Sequence, residues 1–139
     1  MTVAVFVTVA LTFFLFNIYT INSIKDFLKQ ETDAVANTLK SVSDIEEAAE
    51  FISADGESYY KIVIFDSDMK LQAQNTSEEL NLDKRTGRQL SKAKKDGANF
   101  FFASSYKKVP AINYAVRVEN SQIEGGYLML MCSVDVIYN

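Results

Sequence analysis

The sequence predicts an α+β fold, in which one long N-terminal helix packs on a mostly antiparallel sheet of five strands. Three observations predict this fold. The first charged side chain is Lys25, so the chain begins with a long uncharged, largely apolar run. A helical stripe of apolar residues follows over 21–42. From Tyr59 onward the chain holds five short strand-like runs, four of them with β-branched or aromatic residues and one, 70–74, with alternating polarity. Short connections between such runs favour antiparallel neighbours, with the helices packed outside the sheet.

Composition excludes several classes of protein. The chain has 139 residues with 18 acidic and 14 basic side chains, a net charge of −4, so one compact domain is expected. It has no histidine, which excludes a Ser-His-Asp triad, a His-based acid–base pair and an imidazole metal ligand. Its single cysteine, Cys132, cannot form an internal disulfide or a zinc ribbon. We therefore expect no enzyme activity, no cofactor and no metal site.

Residues 1–21 are predicted to span a membrane as a helix. Between Val3 and Phe16 only Thr8 and Thr12 are not strongly apolar, and about 20 such residues cross the hydrocarbon core of a bilayer. The competing interpretation is a cleaved signal peptide, which would begin with a basic region and end in a small-x-small site. No Lys or Arg precedes the apolar run and Phe14–Asn17 offers no such site, so we expect a retained helix and a location at the cell membrane.

The apolar stripe after the span resembles an a/d seam, because its members recur at spacings of three, four and seven. Such a stripe predicts a parallel homodimer through a helical seam. A single helix lying across a sheet of its own chain needs the same stripe, so that alternative stays open. The residues of the seam are Ile21, Ile24, Leu28, Val35, Leu39 and Val42.

The pattern after the stripe sets the remaining elements. Ser43 and Glu46 fit a capping box, which predicts a kink near Ser41–Ser43 and a short helix over Asp44–Ile52. Strands are then expected over 59–65, 70–74, 99–105, 111–118 and 126–136, with a helix over 83–95. The chain accordingly divides into a span (1–21), amphipathic helices (22–56) and a sheet domain (57–139).

Charge is concentrated in one segment. Residues 84–108 carry eight bases and one acid, a net charge of +7, whereas residues 25–58 carry three bases and nine acids, a net charge of −6. On the predicted helix Lys84, Arg88, Lys92 and Lys95 share one face. That face can bind an anionic group or a membrane surface, or it is a solvated outer face. Nucleic acid is not expected as a partner, because the chain is acidic and no aromatic residue interrupts the basic cluster.

A small set of polar residues forms the candidate ligand site. Arginine with tyrosine hydroxyls is suited to a carboxylate ligand, although strand tyrosines also cap sheet edges. Asp66 and Asp68 are better explained by a hairpin turn than by a metal, since calcium needs six or more oxygens. The candidate ligand residues are Arg88, Ser104, Tyr106, Tyr114 and Arg117.

Several stretches resemble the extracytoplasmic PAS-like or single Cache (PDC) domains of bacterial sensor histidine kinases. Residues 62–71 (IVIFDSDMKL) resemble that family's strand–turn–strand hairpin, with Met69 where a turn glycine is usual. Residues 83–98 resemble its helix ending in a glycine, and 102–106 (FASSY) the strand that follows. Residues 126–134 resemble its last strand, which normally leads into a second membrane helix.

The resemblance implies a sensing function in two-component signal transduction. The domain would bind a small molecule or a partner protein outside the cytoplasm and pass a helix movement through the membrane, as a homodimer in contact with lipid. The alternative is a single-span structural protein, such as a pilin-like subunit with an apolar helix and a small sheet domain. That class usually carries a glutamate near the start of the apolar helix, whereas the first glutamate here is Glu31.

Overall fold

The computed structural model describes residues 2–54, 61–76, 80, 82–106, 109–123 and 125–135. It confirms the predicted class: a long N-terminal helix and a five-stranded antiparallel sheet, with every predicted helix and strand present. The helices are α1 (Thr2–Leu39), α2 (Ile45–Ala54) and α3 (Lys84–Asp96). The strands are β1 (Lys61–Phe65), β2 (Leu71–Gln74), β3 (Ala98–Tyr106), β4 (Val109–Glu119) and β5 (Tyr127–Asp135).

The sheet has the strand order β2-β1-β5-β4-β3, and each strand is antiparallel to its neighbours. Strand β5 lies at its centre, where Leu130 pairs with Ile64 on one side and with Val116 on the other. Residues 128–133 are all buried, because helices cover both faces of the sheet. This explains why β5 reads in the sequence as an unbroken apolar run rather than an alternating one.

Alternate residues of the strands point to opposite faces, and each face has its own core. One face packs against α1 and α2; its buried strand residues are Ile62, Ile64, Ile112, Tyr114, Val116, Val118, Leu128, Leu130 and Cys132. The other face packs against α3; its buried residues are Val63, Phe65, Leu90, Ala93, Phe101, Ala115, Met129 and Met131.

Helix α1 has two halves with opposite surroundings. From Val3 to Tyr19 its side chains are exposed, and its most apolar 18-residue window has a mean hydropathy of 2.1 with nothing buried. Among the described residues, α1 is the one helix that is long and apolar enough to cross a membrane. The hydroxyls of Thr8 and Thr12 donate to the carbonyls of Ala4 and Thr8, each at 2.8 Å, so these two polar groups are satisfied within the helix.

The second half of α1 lies on the sheet of its own chain. Leu28 and Leu39 are fully buried, and Val35 and Val42 are at most 5% exposed, all in the core between α1 and the sheet. Ile21 and Ile24 pack against the same core and are partly buried. Leu28, Val35, Leu39 and Val42 thus pack in the core of their own chain, as in the alternative of a helix lying across its own sheet. Dimerisation itself stays a prediction.

Helix α1 ends at Leu39, close to the predicted kink, but the cap of α2 differs from the prediction by one residue. The Asp44 side chain accepts a hydrogen bond of 2.8 Å from the Glu47 N–H, and the Glu47 carboxylate accepts one of 2.9 Å from the Ser43 N–H. Accepting from Ser43 lowers the pKa of Glu47. The predicted Ser43–Glu46 pair is thus replaced by Asp44 and Glu47, since Asp is as good a cap as Ser and stands next to the first helical residue.

The direction of α1 follows from its contacts at the two ends of the sheet. The Lys25 ammonium lies 5.7 Å from the centre of the Phe102 ring, and Phe102 pairs through Ile112 with Val134 of β5. The carbonyl of Leu39 instead accepts a hydrogen bond from Asn120, at the end of β4. We call these the entry end and the far end of the sheet. Helix α1 reaches the sheet at the entry end, and β5 finishes at that same end.

Candidate ligand groove beside the basic helix

Helix α3 is fixed at both ends by its own sequence. The Asp83 carboxylate accepts a hydrogen bond of 2.7 Å from the Thr86 N–H, and this bond lowers the pKa of Asp83. Gly97 ends the helix with a φ of 92°, a left-handed conformation that favours glycine, and its N–H donates to the Ala93 carbonyl at 2.8 Å. Leu90 and Ala93 bury one face on the sheet, which leaves the basic face directed outward.

A groove of about 580 Å³ lies between α3 and the turn that joins β1 to β2. Gly87 contributes to its width, because a Cβ built there meets no atom within 4 Å. The groove is lined by Met69, Leu82, Lys84, Gly87, Arg88, Leu90 and Ser91. A volume of this size is typical of small-molecule sites.

The chemistry of the lining pairs two cations with an apolar floor. Lys84 and Arg88 are four residues apart on α3, so both stand on the same side of the helix. Met69, Leu82 and Leu90 supply apolar surface between them. This arrangement is suited to a ligand with one anionic group and an apolar body, because the guanidinium can bind a carboxylate or phosphate through two hydrogen bonds.

Met69 adopts an unusual backbone conformation at the edge of this groove. Its φ is 65°. Among the described residues, Met69 is the one residue other than glycine with a positive φ. Glycine would suit this position, because it adopts a positive φ without a steric cost. Methionine accepts the left-handed conformation at a cost of roughly 1 kcal/mol or more, and it provides a flexible apolar side chain to the groove.

Of the two aspartates of the same turn, Asp66 has the predicted structural role. One carboxylate oxygen of Asp66 accepts hydrogen bonds from the N–H groups of Asp68 and Lys70, both at 2.9 Å. Its other oxygen accepts from the Gln72 amide at 2.9 Å. Asp66 therefore closes the hairpin that forms one wall of the groove.

Of the five predicted ligand residues, Arg88 lines the groove. Arg117 lies at the far end of β4, where its guanidinium donates to the Lys94 carbonyl and to the Glu119 carboxylate, both at 3.3 Å. Tyr114 points to the opposite face of the sheet, towards α1. Ser104 and Tyr106 belong to β3, but their side chains lie outside the described residues. The structure thus does not bring Arg88, Tyr114 and Arg117 into one site.

Tyr114 belongs to an aromatic cluster under α1. Its ring stacks on that of Phe100 with centroids 4.1 Å apart and planes inclined by 25°. Burial raises the pKa of the Tyr114 hydroxyl, and the nearby Asp33 carboxylate raises it further. A neutral, stacked phenol is a packing element here, and alternation along β4 separates it from Arg117 because positions 114 and 117 face opposite sides.

Cys132 is fully buried at the centre of the sheet, as predicted for a structural thiol. Burial raises its pKa to about 12, against a smaller opposing effect of the Thr32 hydroxyl, which faces it from α1. Thr32 is itself fully buried and fills the position where the apolar stripe of α1 is interrupted. The thiol is therefore protonated and shielded, which makes it unsuited to nucleophilic or redox chemistry.

No family model matches the chain, and no curated protein matches it.

The groove could be predicted from the sequence only in part. The basic face of α3 was visible as the i, i+4 spacing of Lys84 and Arg88. Met69 and Leu82 could not be assigned to it, because they come from a turn and a loop whose position depends on the packing of β1 and β2. Gly87, a glycine inside a helix pattern, was the available signal, since such a residue often marks a close approach or an open space.

Proposed function

We propose that this chain is the extracytoplasmic signal-sensing input domain of a membrane-bound sensor histidine kinase. The observation that carries the proposal is the continuity of α1. One helix of 38 residues holds an exposed apolar half and a half buried on the sheet. Any shift of the sheet relative to α1 is therefore a shift relative to the membrane, with no loop between them to absorb it.

The second support is the arrangement of the ends of the domain. Helix α1 arrives at the entry end of the sheet, and β5 finishes there, with Val134 pairing with Ile112 and Asp135 with Ala111. A segment following β5 would therefore leave the domain at the entry end of the sheet, beside α1 and towards the membrane. A pair of helices on one side of a sheet can slide or rotate against each other when the sheet changes its packing.

The groove beside α3 provides the site at which a signal would act. It lies on the sheet face opposite α1, so a ligand there contacts α3 and the β1–β2 turn without touching α1. Both faces share the central strand β5, whose residues alternate between the two cores. A ligand that binds two packings of this sheet unequally would shift the population of α1 positions. We assign the signal to anionic molecules with an apolar part.

Dimerisation belongs to this proposal, but through other residues than the stripe of α1. Among the described surfaces, the exposed span is predominantly apolar and suits contact with a second copy inside the membrane. A dimer formed through the span would leave the sheet packing intact.

The alternative is a pilin-like structural subunit. The same division of α1 into an exposed half and a packed half favours it, because a filament buries the exposed half against neighbouring copies. The two functions differ in the state of the chain in a bilayer: a structural subunit would assemble into filaments, whereas an input domain would stay a small oligomer. Electron microscopy of the detergent-extracted protein distinguishes them.

The direct test of the proposal is the coding sequence downstream of Asn139. An input domain requires a second apolar run of about 20 residues followed by a cytoplasmic signalling region. A stop codon at that point would contradict the proposal and leave the structural function.

A further inference from the structure

We propose that the entry end of the sheet rests in the headgroup layer of the membrane, with the exposed ring of Phe102 inserted among the lipids beside Lys25. The proposal rests on the retained span of the proposed function and goes beyond it, because a span by itself would also allow the domain to stand clear of the bilayer. The proposed partner is the lipid surface.

The first argument is the position of Phe102. It lies on β3, an edge strand of the sheet, and 46% of its surface is exposed although it is an aromatic residue on the face that packs against α1. Its strand neighbour on the same face, Phe100, is by contrast covered by Tyr114. The Phe102 ring is therefore accessible to a partner outside the domain.

The length of the span places Phe102 at the depth of the lipid headgroups. Helices rise about 1.5 Å per residue, so the uncharged segment from Val3 to Ile21, whose side chains are exposed as far as Thr20, is about 27 Å long, close to the thickness of the hydrocarbon core. Lys25 follows Ile21 by four residues and thus stands about 6 Å beyond the hydrocarbon boundary, within the headgroup layer. Because the Lys25 ammonium is 5.7 Å from the centre of the Phe102 ring, Phe102 lies at nearly the same depth.

The third argument is the chemistry of this level of the molecule. The Lys25 ammonium contacts both rings of β3, at 5.8 Å from Phe100 and 5.7 Å from Phe102, and this cation–π contact holds the strand against α1. Phe27, two residues further along α1 and on the opposite side of the helix, is 42% exposed at nearly the same level. Lysine with exposed aromatic rings is the combination found at membrane interfaces, where the cation binds phosphates and the rings occupy the headgroup region.

Continuity of α1 supports a bilayer as the occupant. Helix α1 runs without interruption from the exposed apolar span to Lys25, whose ammonium contacts the Phe102 ring. A bilayer that contains the span therefore reaches this level of the domain.

The test uses tryptophan as a probe, because the chain contains none. The variant Phe102→Trp is reconstituted as the full chain in vesicles of phosphatidylcholine and phosphatidylglycerol in equal parts. Its fluorescence is measured with two quenchers: a phosphatidylcholine carrying a nitroxide on its headgroup, and iodide in the water. The matched control is Leu71→Trp, since Leu71 is 45% exposed on β2 and its partner Phe65 places it at the far end of the sheet.

We expect the headgroup nitroxide to quench Phe102→Trp several-fold more strongly than Leu71→Trp, and iodide to show the opposite order. Should Phe102→Trp fail to fold, Phe27→Trp reports on the same depth. Equal quenching of both probes by iodide, with the chain still floating with the vesicles, would overturn the surface contact and leave the span intact. Failure of the chain to float would overturn both the contact and the retained span.

Discussion

The side-chain amide of Asn120 donates a hydrogen bond of 2.9 Å to the carbonyl oxygen of Leu39, the last residue of α1. The same amide donates to the Val42 carbonyl at 2.8 Å, and Asn120 is 4% exposed. The last carbonyls of a helix have no partner within the helix, so a donor from elsewhere must satisfy them. One asparagine at the far end of β4 thus fixes the end of the long helix to the sheet.

Replacing Asn120 by alanine is expected to destabilise the fold. Two buried carbonyls would lose their donor, at a cost of about 1–3 kcal/mol in the free energy of unfolding. Chemical denaturation followed by circular dichroism measures this change. The neighbouring exposed residue Ser121 supplies the control, because Ser121→Ala is expected to change stability by less than about 0.5 kcal/mol. Equal effects of the two substitutions would show that the Asn120 bonds contribute nothing.

Leu28→Ala tests whether the apolar stripe of α1 serves the core. Leu28 is fully buried against the sheet, so its truncation should lower the free energy of unfolding by about 2–5 kcal/mol. Lys29→Ala, the next and exposed residue, is the control. A stripe that formed a dimer seam would behave differently: Leu28→Ala would shift the monomer–dimer equilibrium in sedimentation and leave the stability of the monomer unchanged.

The buried thiol of Cys132 predicts a dependence of stability on alkaline pH. Its pKa is raised to about 12 in the folded chain, above the unfolded value of about 8.5. Below the unfolded value the thiol is protonated in both states and has no effect. Between the two values only the unfolded state loses the proton, so the free energy of unfolding falls by about 1.4 kcal/mol per pH unit from this group.

Tyrosines and lysines also make the free energy of unfolding depend on alkaline pH. Comparison of the wild-type chain with Cys132→Ala isolates the part that comes from Cys132. The difference in unfolding free energy between the two proteins should change with pH above about 8.5 and be constant below it. A difference that stays constant up to pH 11 would mean that the thiol titrates normally in the folded chain and is reached by water.

The groove beside α3 predicts a binding pattern among three variants. Hexyl phosphate, an anion with an apolar tail, should raise the melting temperature of the wild-type chain. Gly87→Leu fills the groove, and Arg88→Ala should raise the Kd about tenfold, since a hydrogen bond to a charged group contributes about 1.5 kcal/mol or more. Lys92→Ala removes the same charge one turn further along α3, outside the groove, and should bind like the wild type. Equal losses for Arg88→Ala and Lys92→Ala would indicate a general charge effect and no site.

The fold could be predicted from the sequence because its elements have strong local signals. The uncharged run before Lys25 and the signals that bound α3 all act within one element, and the predicted helix over 83–95 differs from α3 by one residue at each end. The partner of the α1 stripe could not be predicted in the same way. A row of apolar side chains at helical spacing is equally suited to a second helix and to a sheet, and the choice depends on contacts more than 70 residues away, such as that of Leu39 with Asn120.

The predicted ligand residues show the same limit. Arg88 was found because the charge pattern of one helix is local, whereas Tyr114 and Arg117 were grouped by proximity in the sequence. Strand alternation places them on opposite faces of β4. A shared site would need both side chains on one face of β4. Residues three apart in a strand lie on opposite faces.

The most direct test of the account is whether α1 is one uninterrupted helix where it leaves the membrane. Amide hydrogen exchange, measured residue by residue on the chain in lipid bicelles, reports this over residues 20–28. The account predicts slow exchange throughout, because each N–H there lies within α1 and the Leu28 side is packed on the sheet. Rapid exchange confined to Asn22–Asp26 would reveal a hinge, and a hinged helix could not pass a movement of the sheet to the span.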